Sequence, residues 1–532
     1  MTRVAPDSAT VADLPRGVRV IEHTWIPMPD GTRLAARLWL PEGAESEPVP
    51  AVLEYIPYRL RDGTRLSDEA VHGYFAGHGY AGVRVDLRGS GDSEGVLRDE
   101  YLEQELADGE AVIAWLAGQP WCNGRVGMLG ISWGGFNGLQ LAARRPEPLQ
   151  AVVTVCSTDD RYADDIHYMG GCLLGDNLSW ASTMFAHTSL PPDPRFAGAR
   201  WRELWKQRLA ESGLWLETWL SHQHRDAYWR HGSVGEDITA ITCPVLAVSG
   251  WADGYSNAVF RLLTGMQAPC KGLIGPWSHR YPHDGVPGPA IDFLGECLRW
   301  FDRWLADEPN GAEDDPALRA WMQESIAPFT AYAERPGRWV AEDTWPPPAP
   351  RTREYALGAG RLLTTDTAPT ADDAMPRPIS SPLSVGLFAG KWCSYSGAPD
   401  LPGDQRQEDG GALVFDSPEL ADRLEILGCV EVEVELTSDQ PVAMLCARLG
   451  DVSPGGTVTR VTYGLRNLTH RDSHAEPAPL AVGEPVRVRL RLNDVAHAFP
   501  AGHRLRLALS TSYFPLAWPP PRPNTLTVNP SH

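Results

Sequence analysis

The segment G-I-S-W-G at positions 130–134 places a serine where an apolar run ends and a helical pattern begins. Residues 124–131 have the composition of a short buried strand, and the segment after the serine continues as a helix that ends at Pro146. A strand, a sharp turn and a helix in this order can present a serine hydroxyl as a nucleophile. Ser132 is therefore a candidate for covalent catalysis.

The same G-x-S-x-G pattern occurs a second time, at positions 91–95, with Ser93 as its serine. There Asp92 and Glu94 flank the serine in a polar loop. Their negative charges would oppose the charge that develops on a carbonyl oxygen under attack. We therefore predict that Ser132 is the nucleophile and that Ser93 is a loop residue.

A serine nucleophile needs a histidine to take its proton and a carboxylate to hold that histidine in one tautomer. When the serine lies in a strand–turn–helix of this type, the acid and then the histidine follow it along the chain. The apolar run CPVLAVSG leads into Asp253, and the next run, KGLIGP, leads into His279. His167, in a helical region, and His283, in a polar loop, are weaker alternatives. We predict that Asp253 and His279 complete the triad.

Three patterns along the chain predict how these residues are positioned. From about residue 20 to 156 apolar strands alternate with helical segments, which is typical of βαβ units in a mostly parallel sheet. Tryptophan-rich helical segments follow, and strand signals return near residue 243. We therefore expect an α/β domain in two parts, residues 1–156 and 241–345, interrupted by a helical cap, residues 157–240.

The last part of the chain, residues 346–532, has the pattern of an antiparallel β-sandwich. Apolar residues alternate with glutamates over 430–436 and with arginines over 486–492, and this period of two indicates strands with one buried face. The outward glutamates and arginines form rows of opposite charge. We expect these two rows to lie on neighbouring strands.

Composition excludes several classes of function. The 532 residues include 47 basic and 68 acidic side chains, a net charge of −21, and no basic run that would bind nucleic acid. The nine cysteines show no C-x-x-C spacing, so we expect neither a disulfide framework nor a metal site. No apolar stretch is long enough to span a bilayer. We expect a cytoplasmic enzyme of two or three domains. It is expected to use no cofactor and to bind no membrane, and the sequence leaves open whether it forms a homo-oligomer.

Several blocks of the sequence resemble the cocaine-esterase-like hydrolases, a family that also includes α-amino-acid ester hydrolases and X-Pro dipeptidyl peptidases. These blocks are GYAGVRVDLRGSGDSEG, WLAGQPWCNGRVGMLGISWGG, GWADG, GPWSH and FPAGHRLRLALSTSYFP, and they extend over nearly the whole chain. The resemblance implies an α/β-hydrolase domain, a helical cap and a C-terminal jelly roll. It assigns the roles of nucleophile, acid and base to Ser132, Asp253 and His279.

The resemblance also implies an oxyanion hole, formed by the backbone N–H of the residue after the serine and by a tyrosine hydroxyl. These positions are Trp133 and, in the stretch YIPYR, Tyr58. Tyr55 is the weaker alternative and fits a packing role.

The same family implies acyl esters or amides as substrates. Members that act on α-amino acyl groups carry carboxylates two and three residues after the catalytic aspartate, where this chain has Tyr255 and Ser256. Asp164 and Asp165 could bind a substrate ammonium, although a role at a helix start is the simpler interpretation. Candidates for the wall of an apolar acyl pocket are Trp133, Tyr168, Trp180 and Trp251.

We therefore predict a serine hydrolase that cleaves carboxylic esters or amides of small acyl groups and prefers neutral acyl groups. An X-Pro dipeptidyl peptidase and an α-amino-acid ester hydrolase or acylase are the alternatives within the enzyme class. A non-catalytic binding protein with the same fold is the alternative outside it, and the complete triad argues against that interpretation.

Overall fold

The structure is a computed structural model that describes residues 14–395 and 399–530. Its first part alternates strands and helices as the sequence predicts. The internal strands β3 and β4 are buried along their whole length, as in a parallel sheet that is covered on both faces. The elements are β1 Val18–Pro27, β2 Arg33–Pro41, β3 Val49–Ile56, α1 Arg65–Gly77, β4 Ala81–Asp86, α2 Glu103–Ala117, β5 Cys122–Ile131, α3 Trp133–Arg144 and β6 Leu149–Val155.

The cap that follows is mostly helical and also contains one short hairpin. Its elements are β7 Tyr168–Met169, β8 Cys172–Leu173, α4 Asp176–Thr188, α5 Pro194–Ala197, α6 Trp201–Glu211, α7 Trp215–Ser221 and α8 Ala227–Arg230. The tryptophan-rich segment 215–230 forms two helices, α7 and α8. The Asp226 side chain accepts a hydrogen bond from the Tyr228 N–H at 2.9 Å and so starts a new helix at Ala227.

The second part of the α/β domain completes the sheet. It contains β9 Val245–Gly250, α9 Ser256–Gly265, β10 Cys270–Gly275, α10 Phe293–Leu305, β11 Leu318–Glu324 and β12 Gly337–Glu342. The strand order is β1-β2-β4-β3-β5-β6-β9-β10-β11, and every pairing from β4 to β11 is parallel. Strands β5, β6, β9 and β10 are consecutive in this order, so the loops at their carboxyl ends lie along one edge of the sheet.

The C-terminal part contains two four-stranded antiparallel sheets that share one apolar core. The sheets have the orders β15-β24-β18-β21 and β16-β23-β19-β20. The elements of this part are β13 Ala356–Leu357, β14 Leu362–Leu363, β15 Arg377–Ile379, α11 Arg406–Asp409, β16 Leu413–Asp416, β17 Leu424–Gly428, β18 Glu431–Ser438, β19 Met444–Val452, β20 Val458–Asn467, β21 Val486–Arg491, β22 Val495–Phe499, β23 Arg504–Ser510 and β24 Leu526–Asn529.

The predicted rows of opposite charge are neighbours in this sandwich. Strands β18 and β21 pair antiparallel, with Glu433 opposite Arg489 and Glu431 opposite Arg491. Val432, between the two glutamates, is buried in the core shared by the sheets. The expected strand orientation is therefore confirmed.

Two strands of the C-terminal part extend the sheet of the first domain. Strand β22 pairs in parallel with β11, with His497 opposite Gln323, and β17 pairs with the far side of β22. The hydrogen-bonded sheet thus crosses the division that we place at residues 345/346, and that division stays a prediction. None of the helices in the described ranges is long and apolar enough to cross a bilayer.

Candidate active site

Ser132 lies at a strained turn between β5 and α3. Its backbone has φ 57° and ψ −124°, a conformation that residues with a side chain rarely adopt. The flanking glycines make the turn feasible: a Cβ on Gly130 would lie 2.4 Å from the carbonyl carbon of Gly134. Hydrogen bonds from Ser132 N to Val155 O (2.8 Å) and from Phe136 N to Ser132 O (2.9 Å) hold the turn in place.

Asp253 and His279 follow the neighbouring strands β9 and β10 and are in contact. His279 Nδ1 is 3.0 Å from Asp253 Oδ1, and both side chains are buried. The backbone N–H of His279 donates to Ser394 O at 2.8 Å, and the N–H of Gly254 donates to Asp253 Oδ1 at 2.9 Å. The acid thus fixes the imidazole through Nδ1 and leaves Nε2 as the nitrogen for proton transfer.

The Asp253 carboxylate is stabilised in its charged form. Burial favours the neutral acid, but the nearby His279 and hydrogen bonds from His279, Cys156 and Cys393 hold the pKa of Asp253 below its usual value. The Cys393 Sγ is 3.6 Å from Asp253 Oδ1. Because Asp253 stays ionised, it can stabilise an imidazolium on His279.

Cys156, Asp253 and His279 are also close enough to share a metal ion, with ligand atoms within 4.8 Å of one another. Burial and the Asp253 charge raise the pKa of the Cys156 thiol well above its usual value. Since a thiol must lose its proton to bind a metal, this arrangement favours an acid–base pair over a metal centre.

Tyr58 and Trp133 lie beside the serine. The Tyr58 side chain lies close to Ser132, and burial raises the pKa of Tyr58, so the phenol keeps its proton. Trp133 is the first residue of α3, and the first N–H groups of a helix have no partner within the helix. Tyr55 donates its hydroxyl to Glu105 O at 3.1 Å, as expected for a packing residue.

A buried glutamate anchors Trp133. The indole Nε1 of Trp133 donates to Glu105 Oε1 at 2.6 Å, and the Tyr101 N–H donates to Glu105 Oε2 at 2.8 Å. Burial raises the pKa of Glu105 to about 8. The hydrogen bond between Trp133 and Glu105 fixes the start of α3, and with it the backbone N–H of Trp133, relative to the serine.

A narrow cavity opens in front of Ser132. Of the candidates from the sequence, Trp180 and Asp165 line it together with the serine. The other lining residues were not predicted from the sequence: Glu100, Tyr101, Ile166, Tyr255 and Tyr395. The rings of Tyr255 and Tyr395 also lie 5.7 and 5.1 Å from the His279 ring, so the histidine borders the same space.

The two candidate aspartates of the cap have different surroundings, and neither starts a helix, because the short strand β7 follows them. Asp164 is paired with Arg261 at 2.7 Å. Asp165 Oδ1 accepts hydrogen bonds from the Tyr255 hydroxyl (2.8 Å) and the Ile166 N–H (2.7 Å). Burial raises the pKa of Asp165 to about 6. The interpretation of this pair as helix-start residues is therefore wrong, and of the two only Asp165 lines the cavity of Ser132.

The negative charge of Glu100, the second carboxylate at the cavity, is compensated by neighbouring cationic side chains. Glu100 interacts with His167 Nε2 at 3.0 Å and Arg161 Nη2 at 3.4 Å, and it accepts a hydrogen bond from Trp180 Nε1. His167, the alternative candidate for the catalytic base, thus contacts Glu100 through its Nε2.

Of the residues expected to form the wall of the acyl pocket, three do not line the cavity of Ser132: Trp133, Tyr168 and Trp251. Tyr168 stacks on Tyr162, with ring centroids 4.8 Å apart, because the β7–β8 hairpin turns it into the cap. Trp251 donates its indole N–H to Trp321 O at 2.7 Å and stacks on Phe260.

Ser93, the serine of the second motif, is fully buried. Its hydroxyl donates to Asp86 O at 2.7 Å and accepts from the Ala35 N–H at 2.8 Å. These bonds tie the loop to the edge of the sheet, which is a structural role.

Several contacts of the Asp253–His279 pair that the sequence did not reveal come from two places. Cys156 directly follows β6, at the edge of the sheet where Ser132 and Asp253 also lie, and this position was a usable signal. Cys393, Ser394 and Tyr395 lie in a segment without regular structure, which gives no periodic signal.

Two family models match most of the chain. Residues 30–281 match the X-Pro dipeptidyl-peptidase (S15 family), and residues 310–532 match the X-Pro dipeptidyl-peptidase C-terminal non-catalytic domain. The chain belongs to the S15 family. It is a serine hydrolase with an α/β-hydrolase fold, a helical cap and a C-terminal jelly roll.

Individual relatives agree with this assignment. A Mycobacterium bovis protein provisionally named a serine esterase is 27% identical, covering 95% of this chain and 92% of the relative. The cocaine esterase of Rhodococcus sp. is 25% identical over 93% of this chain and 91% of its own. The solved structure of an α-amino acid ester hydrolase has a TM-score of 0.76 at 21% identity, covering 100% of this chain and 98% of that one, and shows the same fold.

Proposed function

We propose that this protein is an esterase that hydrolyses small carboxylic esters, with Ser132 as nucleophile, His279 as base and Asp253 as the acid that orients it. The observation that carries the proposal is the strained Ser132 turn in the same site as a buried Asp253–His279 pair at 3.0 Å. A binding protein would gain nothing from backbone strain at Ser132 or from a buried carboxylate that is hydrogen-bonded to a histidine.

The reaction proceeds through an acyl-enzyme. Ser132 Oγ attacks the ester carbonyl while His279 Nε2 takes the hydroxyl proton, and Asp253 stabilises the imidazolium that results. The imidazolium then gives the proton to the alcohol that leaves. Water attacks the acyl-serine in the same way, and the free carboxylic acid is released.

The tetrahedral intermediate is stabilised by donors that are already in place. The Tyr58 hydroxyl and the Trp133 N–H lie beside the serine, where charge appears on the carbonyl oxygen only during the reaction. Because Glu105 holds the Trp133 side chain, this N–H needs little reorganisation.

The substrate class follows from the charges at the cavity. Asp164 does not line the cavity and is ion-paired with Arg261, which it shares with Asp159, and Glu100 is paired with His167 and Arg161. Neither carboxylate is therefore available to a substrate ammonium. Asp165 is the one cavity carboxylate without a cationic partner within 4.0 Å in the described ranges. We therefore propose neutral acyl groups as the preferred substrates. Asp165 is the observation that keeps α-amino acyl esters or X-Pro peptides as the second candidate.

The test is a substrate panel on three forms of the protein. The wild type should hydrolyse p-nitrophenyl acetate, butyrate or benzoate, with lower kcat/KM for aminoacyl-proline anilides. Ser132→Ala should abolish hydrolysis, and Ser93→Ala is the matched control at the other G-x-S-x-G motif, with turnover within a few-fold of wild type. Inactivity of the wild type on every ester, or activity that persists in Ser132→Ala, would refute the proposal.

A further inference from the structure

A second cavity, of about 110 Å³, lies between the hydrolase sheet and the C-terminal sandwich. It shares no lining residue with the cavity of Ser132. One wall is the loop 251–254 that carries Asp253, and the opposite wall is formed by strands β20 and β22. Its volume is of the same order as the ~150 Å³ cavity that binds benzene in an engineered protein core.

Arg335 lines this cavity, and no described residue supplies it with a counter-charge. The residue is 8% exposed, and its Nε has no hydrogen-bond partner among the residues that the structure describes. No carboxylate lies within ion-pair distance of its guanidinium in the described ranges, and the neighbouring group is the ring of Tyr332, 4.9 Å away. A buried arginine is normally paired with an acid, because an uncompensated charge away from water is costly.

A second arginine of the lining, Arg460, has only neutral hydrogen-bond acceptors among the described residues. It donates to the Ala389 carbonyl at 2.7 Å and to the Tyr513 hydroxyl at 2.8 Å. Burial lowers the pKa of the lining residue His497, and the Arg335 charge adds to this effect while Asp451 opposes it.

Each acidic residue of the lining interacts with a basic side chain other than Arg335. Asp253 holds His279, Asp494 pairs with Arg491 at 3.0 Å, and Asp400 lies 3.4 Å from Lys391 Nζ. None of these carboxylates compensates Arg335.

We propose that this cavity is a binding site for a small organic carboxylate, held by the Arg335 guanidinium. The planar fork of an arginine matches the two oxygens of a carboxylate. Aromatic side chains line the same cavity and suit a short apolar or aromatic body: Trp251, Tyr332, Trp392 and Tyr463. The lining of this cavity includes Asp253, the acid of the proposed triad, but shares no residue with the cavity of Ser132.

The test is thermal unfolding of the full chain in benzoate at constant ionic strength, with chloride as the replaced anion. A ligand that binds the folded state raises the Tm in a saturable way. We expect this response in wild type and in Ser132→Ala, and a clearly smaller response in Arg335→Met, which removes the charge at similar volume and leaves only benzoate bound as a product at the cavity of Ser132. Arg338→Met is the matched control, because Arg338 is exposed and paired with Glu425, and it should respond like wild type.

Equal responses of Arg335→Met and wild type would overturn the proposal, as would a wild type without a response. Inorganic phosphate is the second probe, and a response to phosphate without one to benzoate would contradict the carboxylate assignment. If Arg335→Met fails to fold, a crystal soak of the wild type tests the site. Crystals soaked in p-bromobenzoate should show anomalous bromine signal beside Arg335, and signal found only elsewhere would refute the site.

Discussion

Asp165→Asn tests the electrostatics of the cavity of Ser132. Asp165 is buried, and both of its side-chain hydrogen bonds end on Oδ1, from the Tyr255 hydroxyl and the Ile166 N–H. An asparagine that presents its carbonyl oxygen at this position keeps both bonds. The substitution therefore removes the titration and preserves the packing.

The magnitude follows from the pKa of Asp165, which rises from 3.8 to about 6 on folding because of burial. A carboxyl with a raised folded-state pKa contributes stability below pH 3.8, and that contribution is lost as the pH rises through 6. Two pKa units correspond to about 3 kcal/mol. With an unfolding entropy of about 2.1 cal/mol/K per residue over the whole chain, this equals about 3 °C in Tm.

The assay is the difference in Tm between Asp165→Asn and wild type, measured between pH 4 and pH 7.5. We expect this difference to grow in favour of the variant by about 2 °C as the pH rises, because part of the titration lies below pH 4. Asp193→Asn is the control for which we expect almost no change of the difference in this range, because the hydrogen bond from Arg195 lowers the pKa of Asp193 and its contribution to stability is lost only below about pH 4. A difference for Asp165→Asn that is constant with pH would refute the account of this carboxyl.

Three further outcomes test other parts of the account. Tyr58→Phe should lower kcat by ~10²–10³ with little change in KM, because the hydroxyl acts on transition-state charge; an unchanged kcat would move the oxyanion role to another donor. Glu433→Lys should leave the Tm nearly unchanged, whereas Val432→Asp should prevent folding of the sandwich, and normal melting of the latter would contradict the strand orientation. In pairs of p-nitrophenyl esters that differ only in an α-amino group, the neutral ester should have the higher kcat/KM; a tenfold advantage of the charged one, about 1.4 kcal/mol, would refute the neutral-acyl preference.

The parts of the fold that the sequence predicts are those with a local signal. Ser132, Asp253 and His279 each follow an apolar strand, and parallel strands bring their carboxyl ends to one edge of the sheet. Strands β18 and β21 were predictable because alternation with period two reports one buried face.

Other features depend on contacts between distant parts of the chain. The pairing of β11 with β22 joins residues that are far apart in sequence, and no local pattern encodes it. Tyr395 reaches the site from an irregular segment of the C-terminal part, and Arg335 lies in a similar segment. The roles of Tyr168 and Trp251 were misjudged for the same reason, since an aromatic residue is equally suited to a pocket wall and to a core.

The most direct test of the central claim is the position of the adduct after reaction with a fluorophosphonate. Such reagents form a covalent bond with an activated serine and leave other serines unmodified. Tryptic cleavage separates the two motifs, because residues 126–144 contain Ser132 as their one serine and residues 89–98 contain Ser93. We predict a single phosphonyl adduct on the peptide 126–144, lost in His279→Ala. An adduct on 89–98, or no adduct on a folded protein, would contradict the assignment of Ser132 as the nucleophile.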